Sequence, residues 1–148
     1  MAELGNTSAP LLGTPTAHAG ITATGAGGQG IRLIRWLVVI NLGLVALQPV
    51  SAGFFLSGYG GAVTVHAVVA LALQFGAFIQ AITAVVLWLR HRVPPWVAGV
   101  SIGLFVIVFL QVGLGYRKTF WLHVPIGVGL FGWLHSALRA LTGSMRLA

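Results

Sequence analysis

Four long apolar stretches dominate the pattern of hydrophobic and polar positions along the chain. They cover residues 31–55, 62–89, 94–115 and 120–141. Each can cross the hydrocarbon core of a bilayer as a helix, which takes roughly 20 residues. The connections between them are short, and short connections join antiparallel neighbours. The pattern therefore predicts an all-α integral membrane protein, built as a four-helix up-down bundle.

The two ends of the chain fall outside this pattern. Residues 1–30 are rich in Gly, Ala and Thr and have no apolar period, which predicts a disordered tail. The same residues lack the basic start and the continuous apolar core of a secretory signal peptide. We therefore expect a tail over residues 1–30, a transmembrane bundle over residues 31–141 and a second, short tail over residues 142–148.

Basic residues cluster at the ends of the apolar stretches and set the predicted orientation. The formal net charge is +7, but charges distributed in this way are topology signals rather than a surface for nucleic acid. Most of them lie on the side of the chain termini, whereas only Arg117 and Lys118 lie on the other side. An excess of positive charge marks the cytoplasmic side, so both tails are predicted to be cytoplasmic, and the expected location is a bacterial inner (plasma) membrane. The basic residues on the terminal side are Arg32, Arg35, Arg90, Arg92, Arg139 and Arg146.

Several residue types that support enzyme chemistry are missing from this sequence. It has no cysteine, which excludes disulfides, thiolate metal sites and thiol nucleophiles. Its only acid is Glu3 in the N-terminal tail, so no carboxylate lies in the apolar stretches. Carboxylate acid–base catalysis and an acidic proton relay both need such a group. An enzyme or a proton-coupled transporter is therefore disfavoured.

Two segments of the chain repeat the same order of residues, and each contains one histidine. They are residues 46–70 and 109–130, and each runs from the end of one apolar stretch, across a turn, into the next. Because the second and fourth stretches start from the same side of the membrane, their histidines are predicted to lie at similar depth in the outer half. The matching residues are Gln48, Gly53 and His66 in the first segment, and Gln111, Gly113 or Gly115, and His123 in the second.

A matched histidine pair on alternate helices favours a bis-histidine haem. The second and fourth helices of such a bundle are diagonal, about 11–14 Å apart. Histidine is a common axial ligand of haem iron, so His66 and His123 are the predicted metal ligands. Ala70 and Gly127 follow these two residues by four positions, which places them on the same helix faces and leaves room for a macrocycle.

Polar residues near this pair are predicted to bind the rest of the haem. Arg117, in the turn before His123, is placed to hold a propionate through a forked ion pair. Gln48 and Gln111 are predicted to donate to a propionate, to a histidine ring nitrogen or across helices.

Plainer interpretations of these side chains stay open. A histidine in the membrane is often only a hydrogen-bonding group between helices, and Gln74 and Gln80 are interpreted in that way. His91 at the end of the second stretch is interpreted as solvated. His135 lies about 18 Å along its helix from His123 and has no matching histidine on the second stretch, so a second haem is not predicted.

The run LQVGLGYRKTFWLHVPIG, residues 110–127, resembles the haem A synthase family and related small four-span proteins of unassigned function. The resemblance implies a bundle with a histidine pair on its second and fourth helices, near the outer face. This chain is one bundle rather than two, and it lacks the synthases' intramembrane carboxylate and their cysteine-bearing outer loop. The resemblance therefore implies the scaffold and a bound haem b rather than the oxidation chemistry. The matching residues are Gln111, Gly115, Arg117 and His123, and more loosely Gln48, Gly53 and His66.

The sequence thus favours a haem-b-binding membrane protein, an electron-transfer or accessory subunit of a larger membrane redox complex. The alternative is a cofactor-free structural subunit of a respiratory or photosynthetic complex, whose glycine-rich spans pack on partner helices. A small transporter or haem carrier is a third hypothesis, which the absence of acids in the membrane weakens. The predicted partners are the lipid bilayer and other membrane subunits, with no nucleic acid.

Overall fold

Four helices account for nearly all of residues 22–144, the part of the chain that the computed structural model describes. They are α1 (Thr22–Leu56), α2 (Ala62–Leu89), α3 (Pro95–Tyr116) and α4 (Phe120–Ser144). Each is long and apolar enough to cross a membrane, and no strand occurs between residues 22 and 144. The predicted all-α, multi-pass membrane fold is confirmed.

The helices pack as a ring in which consecutive helices are neighbours. Helix α1 packs against α2 and α4, and α3 also packs against α2 and α4, so α2 and α4 form one diagonal of the bundle. We call the end that carries the turns 57–61 and 117–119 the hairpin face. The opposite end, which carries the turn 90–94, the start of α1 and the end of α4, is the terminal face. Both α2 and α4 therefore begin at the hairpin face.

Helices α1, α2 and α3 all end in the same way, with a residue in the left-handed region just past the helix. These residues are Gly58 (φ 92°), His91 (φ 54°) and Lys118 (φ 56°). At each end the residue after the left-handed one donates its N–H five residues back, for example from Thr119 to Leu114 O at 3.0 Å. This is the Schellman arrangement, which satisfies helix carbonyls that would otherwise lack partners. The tight turns after α1 and α3 fix the residues at which α2 and α4 begin.

The apolar core lies mainly between the middle of the bundle and the terminal face. Its largest fully buried side chains include Ile34 and Val38 of α1, Leu104 of α3 and Leu134 of α4. Small residues line the facing side of α2, where Ala77 and Ala84 are completely buried. Large apolar side chains on the outside of the helices are exposed, as a lipid-facing surface requires.

A chain of buried polar side chains links three helices near this core. The Asn41 amide donates to Gln80 Oε1 at 2.9 Å, and Gln80 Nε2 donates to Ser101 Oγ at 3.2 Å. All three residues are at most 1% exposed. The interpretation of Gln80 as a hydrogen bond between helices is confirmed. Gly76 is part of this arrangement, because a Cβ on it would overlap the Asn41 amide oxygen.

Helix α1 begins nine residues earlier than the predicted span, so residues 22–30, assigned from the sequence to a disordered tail, are helical. Glycine-rich residues have low helix propensity, so the composition did not predict this extension. At its last residue the extension contacts the end of α2, since a Cβ on Gly30 would lie 3.5 Å from both Leu87 and Arg92. Helix α4 likewise runs to Ser144, three residues beyond the predicted end at 141. The remaining predicted tails, residues 1–21 and 145–148, lie outside the described residues.

Candidate functional site

The structure brings His66 and His123 together near the hairpin face. Their ring centroids are 6.3 Å apart, and the two ring planes are inclined by 60°. Each histidine lies in the first turns of its helix, and each is half-buried. The backbone N–H of His123 donates to Thr119 O at 3.0 Å, so the tight turn before α4 directly sets its position. Two diagonal helices thus present one imidazole each to the same space.

His123 and Gln111 form a reciprocal pair of hydrogen bonds, one to the imidazole ring and one to the backbone of His123. Its Nδ1 lies 3.0 Å from the backbone carbonyl of Gln111, and Gln111 Nε2 donates to the His123 carbonyl at 2.8 Å. A carbonyl oxygen only accepts, so this contact requires a proton on Nδ1. In the neutral ring, Nε2 is then bare and available as a metal ligand. Gln111 therefore orients the ring through its backbone rather than through its amide, which differs from the predicted donation to the ring nitrogen.

His66 has a different set of neighbours. Its Nδ1 lies 3.2 Å from the backbone carbonyl of Gln48 and 3.0 Å from Ser51 Oγ. The Ser51 hydroxyl also lies within 3.0 Å of the carbonyls of Leu47 and Gln48. A hydroxyl can accept from a protonated Nδ1 or donate to a bare one. The surroundings of His66 therefore accommodate either tautomer, whereas those of His123 accommodate one.

Ser51 is the residue of this site that the sequence pattern did not reveal. It is 6% exposed and belongs to the wall of α1 that faces His66. A buried hydroxyl in an apolar span needs a hydrogen-bonding partner. That requirement was the one sequence feature that could have indicated a contact of Ser51 with another helix. Helical serine also satisfies itself on a carbonyl one turn back, which is why the sequence alone did not single it out.

The two histidines are expected to differ in tautomer in the ligand-free protein. In ¹⁵N-histidine NMR spectra at neutral pH, His123 should show a protonated Nδ1 and a bare Nε2. His66 should show a mixture that Ser51→Ala converts to the protonated-Nδ1 form, because only the Gln48 carbonyl then remains beside Nδ1. Ser136→Ala is a matched control, since Ser136 also donates to a carbonyl one turn back but lies on the outside of α4. A His123 proton on Nε2 would contradict this assignment.

A cavity of about 610 Å³ lies beside the histidine pair, and all four helices line it. Its volume falls within the range of about 300–1,000 Å³ that is typical of small-molecule sites. Apart from His66 and His123, the polar side chains in its wall are those of Gln48 and Gln111, and no Lys or Arg of the described helices lines it. Such a wall suits a large apolar ligand. The small residues that widen the cavity are Ala46, Ala52, Gly53, Ala70 and Gly127.

Two glycines, on α3 and α4, leave room for the close packing of side chains around His123. A Cβ on Gly115 would lie 3.3 Å from His123 Cε1, and a Cβ on Gly127 would lie 3.1 Å from Gln111 Nε2. Gly115 thus accommodates the imidazole ring. Gly127 lines the cavity, as does Ala70, and it also accommodates the amide that holds the backbone of His123.

The remaining residues of interest lie away from the pair. Arg117 caps the end of α3 and is exposed, and it does not line the cavity. His91 is exposed in the turn at the terminal face. His135 is exposed on α4, twelve residues beyond His123. Neither of these histidines joins the site.

The donor set of the pair can be tested against a metal and against a haem. Within residues 22–144 no group of three or more His, Cys, Asp or Glu side chains converges, so two imidazoles have no further side chains to complete the shell of a bare ion. A macrocycle brings four nitrogens of its own and leaves two axial positions. A nitrogen lies about 1.2 Å from the centre of its imidazole ring and a metal–imidazole bond is about 2.0 Å long, so two axial rings have centroids about 6.4 Å apart. The observed separation is 6.3 Å.

Two buried amide atoms in the cavity wall lack a hydrogen-bond partner. Gln48 Nε2 and Gln111 Oε1 are buried without a hydrogen-bond partner. A buried polar atom left unpaired costs about 1–3 kcal/mol. A small shift of either side chain toward a bound polar group or a water molecule would relieve that cost. The residues present therefore fit a bis-histidine haem.

The chain matches no family model, no curated protein and no solved structure. The geometry of the histidine pair and its cavity therefore carries the functional conclusion.

Proposed function

We propose that this protein is a haem-b-binding integral membrane protein that acts as an electron-transfer or accessory subunit of a larger membrane redox complex. The observation that carries the proposal is the separation of 6.3 Å between the His66 and His123 rings. This separation is compatible with two imidazoles that would hold one metal ion between them. The Nδ1 contacts that orient both rings, the apolar cavity beside them and the resemblance to one half of the haem A synthases support the same conclusion.

In this proposal each residue has a definite part. His66 and His123 would hold the iron, and a haem b, when bound, would supply reversible one-electron transfer. The carbonyls of Gln48 and Gln111 hold the rings and increase the basicity of the ligating nitrogens. Ala70, Gly115 and Gly127 leave space around the rings, and the apolar wall keeps water away. The chain itself offers no carboxylate in its spans, which favours electron transfer over acid–base catalysis.

Arg117 and Lys118 are proposed to meet the anionic edge of the cofactor. Both are exposed on the hairpin face, where α4 begins and where the histidines lie. A propionate at this interface would keep its charge in contact with water and with a cation. The terminal face carries more basic residues, including Arg32, Arg35 and Arg90, which supports a cytoplasmic terminal face by the positive-inside rule. In the proposed orientation the haem would lie in the outer half of a bacterial plasma membrane.

An absorption spectrum tests the proposal most directly. We expect the purified full-length protein, titrated with haemin in mild detergent, to bind one equivalent and to develop the Soret and visible bands of a six-coordinate low-spin haem. The His135→Ala variant should give the same spectrum, because that residue is exposed and lies away from the pair. Absence of a Soret band beyond that of free haemin would overturn the proposal.

A cofactor-free accessory subunit is the second candidate, and the outer surface of α4 favours it. Gly129 and Gly132 are exposed there, a Cβ added to either would meet nothing within 4 Å, and Ser136 follows on the same side. Small residues on the outside of a span let a second helix approach closely. If this surface binds a partner subunit, Gly132→Leu should release the partner in mild-detergent purification. Isolation of only free monomer from native membranes would count against this candidate.

A further inference from the structure

The four helices do not enclose the cavity equally. Its lining residues on α2 and α3 are buried or half-buried, as Leu73 and Val108 illustrate. Three of its lining residues on α1 and α4 are at the same time strongly exposed: Leu56 at 82%, Val124 at 59% and Val128 at 70%. A residue that both lines a cavity and reaches the outer surface lies at its mouth. The mouth is therefore the seam between α1 and α4, here called the lateral mouth.

The same seam is closed toward the terminal face. There Val38 of α1 and Leu134 and Leu141 of α4 are each at most 2% exposed and belong to the apolar core. The opening is thus confined to the half of the seam where the histidines lie. An opening of this kind is a local feature of the wall rather than loose packing of the whole bundle.

Helix α1 is locally weakened where it lines the lateral mouth. Pro49 lies inside α1 and lines the cavity, and its missing N–H removes one hydrogen bond from the helix. Gly53, one turn later, also lines the cavity, and a Cβ added there would meet nothing within 4 Å. A helix that has lost a hydrogen bond and presents small side chains can be displaced at modest cost.

The chemistry of the lateral mouth matches lipid rather than water. Its side chains are apolar, and they lie within spans that are long and apolar enough to cross a bilayer. The nearest basic residues along the chain, Arg117 and Lys118, belong to the turn between α3 and α4 and do not line the cavity. A ligand that passes this seam therefore comes from the hydrocarbon phase.

We propose that a planar apolar macrocycle dissolved in the bilayer reaches the histidine pair sideways, through the lateral mouth between α1 and α4. The proposal rests on the proposed function for the identity of the ligand, since it takes a porphyrin to be the occupant. It adds a route, a membrane source and a set of residues that control the rate of uptake without taking part in metal ligation.

Uptake kinetics test the route. The probe is metal-free protoporphyrin IX, dissolved in phosphatidylcholine vesicles that contain the full chain, and its uptake is followed by fluorescence. Gly53→Leu and Val128→Trp narrow the lateral mouth and should slow uptake by about tenfold or more, with the final bound amount unchanged. The matched controls Gly113→Leu and Val106→Trp place the same side chains on exposed positions of α3 that do not line the cavity. They should take up the probe at the rate of the unmodified protein.

The outcomes separate the route from the function. Equal rates in all four variants, or a reduced bound amount at an unchanged rate constant, would overturn the route. If the metal-free probe enters through the seam but haemin gives no six-coordinate spectrum, the route stands and the proposed function falls. If the haemin spectrum forms at one rate in every variant, the function stands and the route falls. Uptake of neither compound by the unmodified protein removes both.

A second measurement keeps the route testable if the bulky variants fold poorly. The chain has no cysteine, so Gly53→Cys introduces a single thiol at the lateral mouth. It should react with a membrane-soluble pyrene maleimide but not with a charged maleimide, and bound protoporphyrin should protect it. The control thiol of Gly113→Cys should react equally with and without porphyrin. A thiol at position 53 that porphyrin leaves unprotected would contradict the proposal.

Discussion

His123→Ala is expected to abolish six-coordinate haem binding. His123 has a single available tautomer, fixed by the Gln111 carbonyl at 3.0 Å, and in the proposed haem site it would supply the better-oriented of the two ligating nitrogens. Changes to residues that merely support a metal ligand cost about 10–100-fold in affinity, so loss of the ligand itself should cost more than about 100-fold. The measurement is a haemin titration followed at the Soret band. His66→Ala should also eliminate the six-coordinate spectrum, leaving at most a weak five-coordinate form held by His123.

Two other histidines provide the control for this result. His91 and His135 are both exposed and lie outside the cavity wall. Their alanine variants should bind haemin with unchanged affinity and spectrum. If all four alanine variants behave alike, the Soret band reports adventitious binding of haemin to exposed imidazoles. If His66→Ala and His123→Ala leave the band unchanged, the assigned pair is wrong.

Gly76→Ala is expected to have the largest effect on stability of any single methyl group added to the described bundle. The new Cβ would overlap the Asn41 amide oxygen, and Asn41 is completely buried and bonded to Gln80 at 2.9 Å. The amide must shift, so the polar chain through α1, α2 and α3 is strained or broken. Overpacking of a dense core costs about 1–3 kcal/mol. A loss of about 2 kcal/mol corresponds to a fall in melting temperature of roughly 4–8 °C for a chain of this size.

The same substitution at Gly43 supplies the control and should act in the opposite direction. Gly43 lies on the exposed side of α1, where an added Cβ would meet nothing within 4 Å. Alanine there should stabilise the helix by up to about 1 kcal/mol. The measurement is thermal unfolding in detergent followed by circular dichroism. Adding Asn41→Ala to Gly76→Ala should remove the overlap, so the double variant should be no less stable than Asn41→Ala alone. Equal effects on stability at positions 43 and 76 would show that Asn41 is not tightly packed against Gly76.

The features that were predictable from the sequence depend on length and order along the chain. The apolar stretches were long enough to define four spans, and counting spans placed the starts of α2 and α4 on one face. That order alone brings His66 and His123 to one depth. The boundary at residue 31 did not agree with the helix start at Thr22, because the prediction followed the apolar run and glycine-rich residues have low helix propensity.

The features that were not predictable depend on the rotation of each helix about its axis. Three features arise from which side of a helix faces which neighbour. They are the contact of Ser51 with His66, the close approach of Asn41 to Gly76 and the lateral mouth. Uniformly apolar helices carry little pattern to fix that rotation. The ion pair of Arg117 with a propionate remains a prediction, since the residue is exposed on the hairpin face and does not line the cavity.

The hydrogen bonds that orient the two imidazoles divide along the chain into two local sets. Those of His66 come from α1, and those of His123 come from α3, so each hairpin prepares its own half of the site. The partners are only 12–18 residues apart, which lets each half form as soon as its hairpin is inserted. A ligand bound by both histidines would link the two hairpins. Its binding free energy adds to their association, by about 2.7 kcal/mol when its free concentration is 100 times its Kd. Under the proposed function, cofactor supply would thereby control the assembly and lifetime of the protein in the membrane.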